Sequence, residues 1–278
     1  MSSYSMSMDI NLQKGHCLQD KNRVSLNGQS WFGYSIYFDI LSRHAPLTRS
    51  EREALRGVQQ TPTRVKRGGV IKGENCHQGS LLAIQDGWAY SSRLTREGDR
   101  KIIDLYLPGD IIGMRDYYQG GGVEQIVMLT EGLIIPAAKT KIDEAMEGSS
   151  NLARAFLSLA MYQSHLMADR LNNLINHDAT TRIAYFILEL HTRLNRTDQD
   201  AREVFLPLSQ QVIGDLLGMT NVHVCRCLNQ LELMGLLSRH RESRILEILD
   251  YEKLVDIARF NTAYTHHLPR LSQVAAPH

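Results

Sequence analysis

Hydrophobic and polar positions alternate differently in successive parts of the chain, and each pattern predicts an element. Residues 1–30 are rich in Ser, Asn, Gln and Lys with no sustained period, which predicts a mobile tail. A short helix is predicted around Tyr37–Leu41. A second follows Thr48, where Thr48-Arg-Ser-Glu51 is a capping-box signature ahead of Ala54 and Leu55. From Thr61 the texture becomes short β-prone runs separated by Gly, Asp or Asn. These are Arg64–Val65, Gly69–Ile71, Leu81–Gln85, Trp88–Ser92, Lys101–Leu107, Ile111–Ile112, Gln125–Leu129 and Leu133–Ile135. Asp86-Gly87 and Glu97-Gly98-Asp99 read as hairpin turns, and Leu107-Pro-Gly-Asp110 as a tight turn. Many short strands at regular spacing predict an antiparallel roll or barrel.

A long helix follows, from about Ser150 to Asn176, carrying two neighbouring stripes. One is Leu152, Phe156, Leu159, Gln163 and Leu166; the other is Ala153, Leu157, Ala160, Ser164, Met167, Leu171 and Leu174. A helix with two such faces has two things to touch. It is either wedged inside one chain, or it sets one face on the roll and the other on a second subunit. Small Ala160 and Ser164 permit close approach and favour the second arrangement. Leu157, Ala160, Ser164, Met167, Leu171 and Leu174 are then the candidate dimer interface. Asp178-Ala-Thr-Thr181 starts another helix, Arg182–Leu194, with Ile183, Phe186, Ile187 and Leu190 on one face, and a polar linker spans Asn195–Arg202.

Beyond the linker, Ser209 can cap a short helix with Val212, Ile213, Leu216 and Leu217 on its apolar face. Gly218 suits a left-handed stop. Thr220 can cap a helix over Asn221–Leu233, with Val224, Cys227, Leu228 and Leu231 turned inward, and Gly214 is small where two helices cross. This is a helix-turn-helix pattern. Leu236–Arg239 and Arg244–Leu249 flank His240-Arg-Glu-Ser243 as a β-hairpin wing. Asn221, Val222, His223 and Arg226 fall on the outward face. Arg can bridge guanine O6 and N7, Asn pairs with adenine, and Val can touch a thymine methyl. Ser209, Gln210, Thr220, Arg239, Arg241 and Arg244 are candidates for phosphate contacts. The nearby His223, Cys225 and Cys227 invite a metal-site reading, but Cys225 and Cys227 point about 200° apart on a helix and cannot readily share an ion.

Composition changes this picture little. The 278 residues are 43% hydrophobic and 22% charged with a net charge of +1, so any nucleic-acid role must rest on a local surface. The N-terminus does not read as a secretory signal, and no apolar run is long enough to span a bilayer. Four irregularly spaced cysteines argue against a disulfide framework and for a reduced cytoplasmic protein.

Residues 60–255 resemble the Crp/Fnr family of bacterial transcription regulators. The most specific match is LPLSQQVIGDLLGMTNVHVCRCLNQLELMGLL; the roll contributes DGWAYSSRLTREGDRKIIDLYLPGDIIG. The resemblance implies an α+β fold. An N-terminal antiparallel β-roll (a cupin-like jelly roll) over 31–148 is similar to cyclic-nucleotide-binding sensory domains. A dimerisation helix covers 149–177, a winged helix-turn-helix 178–252 with its motif about 209–233, and a C-terminal helix end and tail 253–278. It also implies a cytoplasmic bacterial homodimer that binds a palindromic promoter site in double-stranded DNA, with RNA polymerase a candidate partner and no membrane role.

Departures from the family pattern bear on the signal. Cyclic-AMP-binding members hold the ribose with a Gly-Glu-Leu segment; here Gly113-Met114-Arg115-Asp116 puts Met114 at the carboxylate position. Around the expected phosphate arginine, Gly122-Val-Glu-Gln-Ile126 offers no cation, and Glu124 would repel an anion. Cyclic AMP is therefore disfavoured, while Arg93, Arg100 and Arg115 are candidates for some other anion. The oxygen-sensing branch binds an iron–sulfur cluster through several N-terminal cysteines. Only Cys17 and Cys76 lie outside the DNA-binding part, short of four thiolates, so a cluster is also disfavoured and no cofactor is expected. Cys17 could be a redox-sensitive thiol, but an incidental cysteine is the stronger reading, and the spacing of His44 and His77 gives no support to haem ligation. Val222 replaces a glutamate that many members carry, so the operator should differ from their best-known sites. The alternative, a cupin-like metal-binding protein or enzyme, needs a His/Glu cluster on adjacent strands, and residues 80–135 contain no His. The chain is expected not to be an enzyme.

Overall fold

The computed structural model describes residues 35–72, 80–96, 100–117, 124–195 and 201–261. The expected N-terminal tail, Cys17, Cys76, His77 and the turn at Glu97-Gly98-Asp99 lie outside the described residues, as do Gly122 and Val123.

Helix α1 (Ile36–Leu41) is capped by Ser35 and anchored by Tyr37, whose buried hydroxyl donates to the carbonyls of Leu81 at 3.0 Å and Ile135 at 2.9 Å. Helix α2 (Arg49–Val58) closes its capping box through Thr48 and Glu51. Glu51 also accepts from Ser149 Oγ at 2.6 Å, joining α2 to the start of a later helix.

Eight strands form the roll: β1 (Thr63–Val65), β2 (Val70–Lys72), β3 (Leu81–Asp86), β4 (Ala89–Leu94), β5 (Arg100–Tyr106), β6 (Ile111–Ile112), β7 (Gln125–Met128) and β8 (Gly132–Ala137). They make two antiparallel four-stranded sheets, β1-β8-β3-β6 and β2-β7-β4-β5. Ile84, Ile112 and Ile134 of the first sheet share an apolar cluster with Ala89, Ile126 and Met128 of the second. Asp86-Gly87 is not a hairpin turn. It is the corner where the chain leaves one sheet for the other, because β3 and β4 do not pair. Gly87 takes φ +84°, and a Cβ there would stand 2.7 Å from the Glu131 carbonyl. Leu107–Asp110 does form a tight turn, closed by Asp110 N–H to the Leu107 carbonyl at 3.0 Å, and it too crosses between sheets.

Helix α3 (Lys139–Gly148) is absent from the sequence reading; Ile142 is its one buried residue, so its apolar period is faint. Helix α4 (Ser150–Asn176) has the expected bounds and is capped by Ser149. Its first stripe buries Leu152, Phe156 and Leu159 against α1 and the roll, and Gln163 donates to the Ile111 carbonyl at 2.9 Å. Its second stripe is uncovered in the protomer. Leu157 and Leu171 are 63% and 56% exposed, Ser164 is exposed, and Ala160, Met167 and Leu174 are half-buried.

Helix α5 (Ala179–Leu194), capped by Asp178, buries Ile183, Phe186, Ile187 and Leu190 as expected, and also Glu189, His191 and Arg193. Next come β9 (Glu203–Phe205), α6 (Gln210–Leu217), α7 (Asn221–Leu233), β10 (Leu237–His240), β11 (Ile245–Ile248) and α8 (Tyr251–Ala258). The wing is three-stranded, in the order β10-β11-β9. Strand β9 escapes the sequence reading because it is three residues long with only Val204 buried. The expected boundary at 252 falls inside α8, whose Leu254 and Ala258 join the same apolar cluster as α5 and α7. That cluster continues into the roll through Trp88, Tyr90, Ile102 and Leu105, so α6 and β5 are in contact.

Candidate nucleic-acid interface

The candidate surface is assembled by local rules. Ser209 Oγ accepts from Val212 N–H at 3.3 Å and starts α6, which buries Val212, Ile213 and Leu217 and half-buries Leu216. Gly218 ends it at φ +64°, and Met219 N–H reaches the Gly214 carbonyl at 2.9 Å. Gly214 is needed for a reason slightly different from the one expected. A Cβ there would lie 2.4 Å from the Met219 carbonyl oxygen, so it makes room for the turn rather than for the facing helix backbone. Thr220 Oγ1 then accepts from His223 N–H at 3.3 Å and begins α7.

Val224, Cys227, Leu228 and Leu231 are buried under α7. Asn221, Val222, His223 and Arg226 are all exposed, Val222 at 65%, so one turn and a half of helix offers two polar side chains, a guanidinium and a small apolar patch to solvent. Cys227 is core, Cys225 is half-buried, and no group of three metal-ligating side chains occurs among the described residues.

Around this face the phosphate candidates divide. Ser209 and Thr220 are exposed but use their hydroxyls as caps, and Gln210 is half-buried beside them. Arg241 and Arg244 are exposed on the wing loop. Arg239 is not presented to solvent. Its guanidinium bonds Asn229 Oδ1 at 2.5 Å and pairs with Glu232, and the hydrogen bond from Arg239 is the chief cause that holds the Glu232 carboxyl below its ordinary range. Arg239 thus fastens the wing to α7.

The roll arginines do not form a common anion site. Arg93 pairs with Glu124 at 3.2 Å, Arg115 with Asp104 at 3.1 Å and Glu124 at 3.3 Å, and Arg115 also donates to Tyr106 Oη at 2.7 Å. Arg100 donates to Tyr90 Oη at 2.8 Å and lies 3.7 Å from Asp215 on α6. Carboxylates of this chain already sit where an anion would have to sit. His44 is placed against Tyr162 and Ser158, with ring centroids 5.7 Å apart for the aromatic pair.

A further feature, not found in the sequence reading, is a buried ionic junction where α4 and α5 meet the roll. Glu189 on α5 accepts from Arg170 on α4 at 2.6 Å and from Arg193 on α5 at 2.9 Å. Arg170 also pairs with Asp104 on β5, and Arg193 reaches Asp110 Oδ2 at 2.5 Å and the Leu105 carbonyl at 3.0 Å. The side chains of Glu189 and Arg193 are 6% and 4% exposed. Burial alone would raise the Glu189 carboxyl, yet Arg170 and Arg193 hold it below its ordinary value. The one sequence signal was a Glu and an Arg four apart within the apolar helix α5.

Comparison with known proteins places these features. The family model of a Crp-like helix-turn-helix domain matches residues 181–257. The fumarate and nitrate reduction regulatory protein of Escherichia coli K12 is 25% identical over 186 residues, covering 67% of this chain and 72% of its own length. Electron transport regulator A of Shewanella oneidensis is 24% identical over 239 residues, covering 85% and 94%. In fold, the chain is similar to FixK2 from Bradyrhizobium japonicum, with TM-score 0.64, 24% identity, and 71% of this chain and 96% of that one covered. A CooA mutant from Carboxydothermus hydrogenoformans gives TM-score 0.60 at 16% identity over 81% and 96%.

Proposed function

We propose that the chain is a transcription regulator of the Crp/Fnr type that binds a palindromic promoter site in double-stranded DNA as a homodimer. The observation that carries this reading is α7. A capped helix behind a glycine turn exposes Asn221, Val222, His223 and Arg226 together while its other face is core. In the complex Arg226 bridges guanine, Asn221 pairs with adenine, Val222 contacts a thymine methyl, and His223 completes the face. Arg241 and Arg244 in the wing, with Ser209, Gln210 and Thr220 at the two helix starts, fix the register on phosphates. The uncovered stripe of α4, from Leu157 and Ala160 through Ser164 and Met167 to Leu171 and Leu174, packs on the same stripe of a second copy. That pairing brings two α7 helices onto half-sites about one helical turn apart.

The roll takes a signal other than cyclic AMP. Support comes from Met114 at the ribose-carboxylate position and from Glu124, which faces Arg93 and Arg115 and would repel a cyclic phosphate. The protein acts in the cytoplasm, where RNA polymerase is its candidate partner at the promoter; among the described residues no helix is long and apolar enough to cross a membrane. Footprinting on the DNA upstream of the chain's own gene tests the core of the reading. Salt-sensitive protection of a palindrome is expected, weakened in Arg226→Ala. Equal affinity for unrelated duplexes would remove the claim of sequence recognition.

A further inference from the structure

A groove of about 630 Å³ runs between α3, α4 and the roll, apart from the surfaces described above. Its floor is apolar: Leu81 of β3, Met114 and Tyr117 at the turn after β6, Met146 of α3 and Phe156 of α4. A space of this size holds a drug-sized molecule or a few large side chains. The same five residues belong to, or pack against, the apolar cluster that α1 completes through Ile36 and Tyr37. The groove is therefore a gap at the edge of a core, beside the helix at which the described chain begins.

Ser35 caps α1, and its hydroxyl donates to Gln59 Oε1 at 3.0 Å. Gln59 bridges to Ala137, and Ala137 pairs with Leu81 on the groove wall. Two strand spacings, about 10 Å, thus separate the entry of α1 from the groove. An extended run of four residues spans about 13 Å. The four residues ahead of Ser35 are Trp31-Phe32-Gly33-Tyr34, whereas residues 1–30 contain a single aromatic, Tyr4. Each such ring removes about 150–250 Å² from water when it is buried. Charge points the same way. On the rim, Asp143 is taken up by Tyr117 at 2.8 Å and Lys139 at 2.7 Å. Glu147 is exposed and makes no ion pair among the described residues. Residues 21–34 carry Lys21 and Arg23 and no acidic side chain.

We infer that Trp31 and Phe32 of the same chain fill this groove, with Lys21 and Arg23 drawn towards Glu147. The inference concerns the protomer and stands apart from the DNA-binding reading. A second copy is a poorer occupant. Of the lining residues only Leu157 and Ala160, on the open side, belong to the stripe proposed to meet it, and the other walls come from outside that stripe. A partner laid along the stripe borders the aromatic segment without replacing it. The segment then wedges α3, α4 and the roll together next to the dimer interface.

Fluorescence of the full chain tests this. There are two tryptophans and Trp88 is 3% exposed, so the difference between wild type and Trp31→Phe reports Trp31. Trp31 is expected to emit to the blue of the chain in urea and to be shielded from acrylamide. Met146→Glu, which puts a carboxylate in the groove, should move that emission to the red and raise the quenching constant to its value in urea. Each variant is measured with and without Trp31→Phe, so that a Trp88 still shielded separates release of the segment from unfolding. Where Met146→Glu fails to fold, Glu147→Arg decides, because its position is exposed. It should raise the quenching part of the way, and adding Lys21→Glu with Arg23→Glu should bring the shielding back. A Trp31 as open to acrylamide in wild type as in urea overturns the inference. So does a shielded Trp31 that neither groove variant disturbs, since the segment then lies elsewhere. Shielding that vanishes on dilution to the monomer gives the groove to a second copy's segment and overturns it as well.

Discussion

The exposed face of α7 and the ionic junction between α4, α5 and the roll both carry polar and charged side chains, yet opposite physics governs them. Asn221, Val222, His223 and Arg226 come from six consecutive positions, stand in water and are held only by the helix that carries them. Arg170, Glu189 and Arg193, with Asp104 and Asp110, come from the roll, α4 and α5, and are paired out of water. A solvated charge without a partner costs nothing to remove and is free to meet a ligand. A buried charge is tolerable only while its partners remain. The difference separates side chains that are open to a ligand from side chains that join the roll, α4 and α5 to one another.

Substitution can break or sharpen that contrast. The largest effect is expected for Glu189→Ala, which leaves Arg170 and Arg193 buried without their shared carboxylate. Urea unfolding should show a loss of about 3–5 kcal/mol. A loss no larger than that of a surface substitution would mean that the junction is hydrated and the contrast false. Gly214→Ala comes next: a Cβ 2.4 Å from the Met219 carbonyl forces the turn apart. Overpacking of this kind costs about 1–3 kcal/mol of stability, and the displaced α7 should also lose DNA affinity. Arg226→Ala should show the reverse profile. Its unfolding free energy should stay within about 0.5 kcal/mol of wild type, while operator binding in a gel-shift titration weakens by about 1–3 kcal/mol.

Acid provides a gentler probe. The native carboxyl of Glu189 is held below its ordinary value, so its contribution is fully present above the unfolded glutamate pKa, about 4.3. It is lost as pH falls through the depressed native value. Stability measured against pH should therefore drop on the acid side, and Glu189→Gln should flatten that limb. The smallest effect is expected for Val222→Ala, on the order of 1 kcal/mol or less. Binding to a set of single-base operator variants should show a lost preference at one position only.

These regions also differ in how far they could be read from the chain. Thr48-Arg-Ser-Glu51, Ser209, Gly218 and Thr220 act on backbone groups within four residues of themselves. Their helix starts and stops were therefore legible, as were the bounds of α4 and the inward positions of α7. The strands of the roll were legible because short β-prone runs set off by Gly, Asp or Asn are a local signal. What the chain alone did not reveal is which distant segment each element meets. Asp86-Gly87 carries the same turn chemistry whether it closes a hairpin or turns a corner between sheets, and only the packing of the two sheets decides. Arg239, Arg93 and Arg115 look like solvated cations until Glu232, Glu124 and Asp104 are brought beside them. Strand β9 exists because β11 offers it an edge, and α3 because Ile142 finds a place in the core.

The sequence by itself determined most of the helices and strands, the caps and turn of the helix-turn-helix, and which four residues of α7 face outward. Each of these depends on interactions spanning a few residues. The tertiary structure decided the sheet each strand joins, the partners of the charged residues and the buried junction. Those depend on pairs of groups many tens of residues apart, whose approach is fixed by how the apolar faces pack rather than by any pattern near either residue.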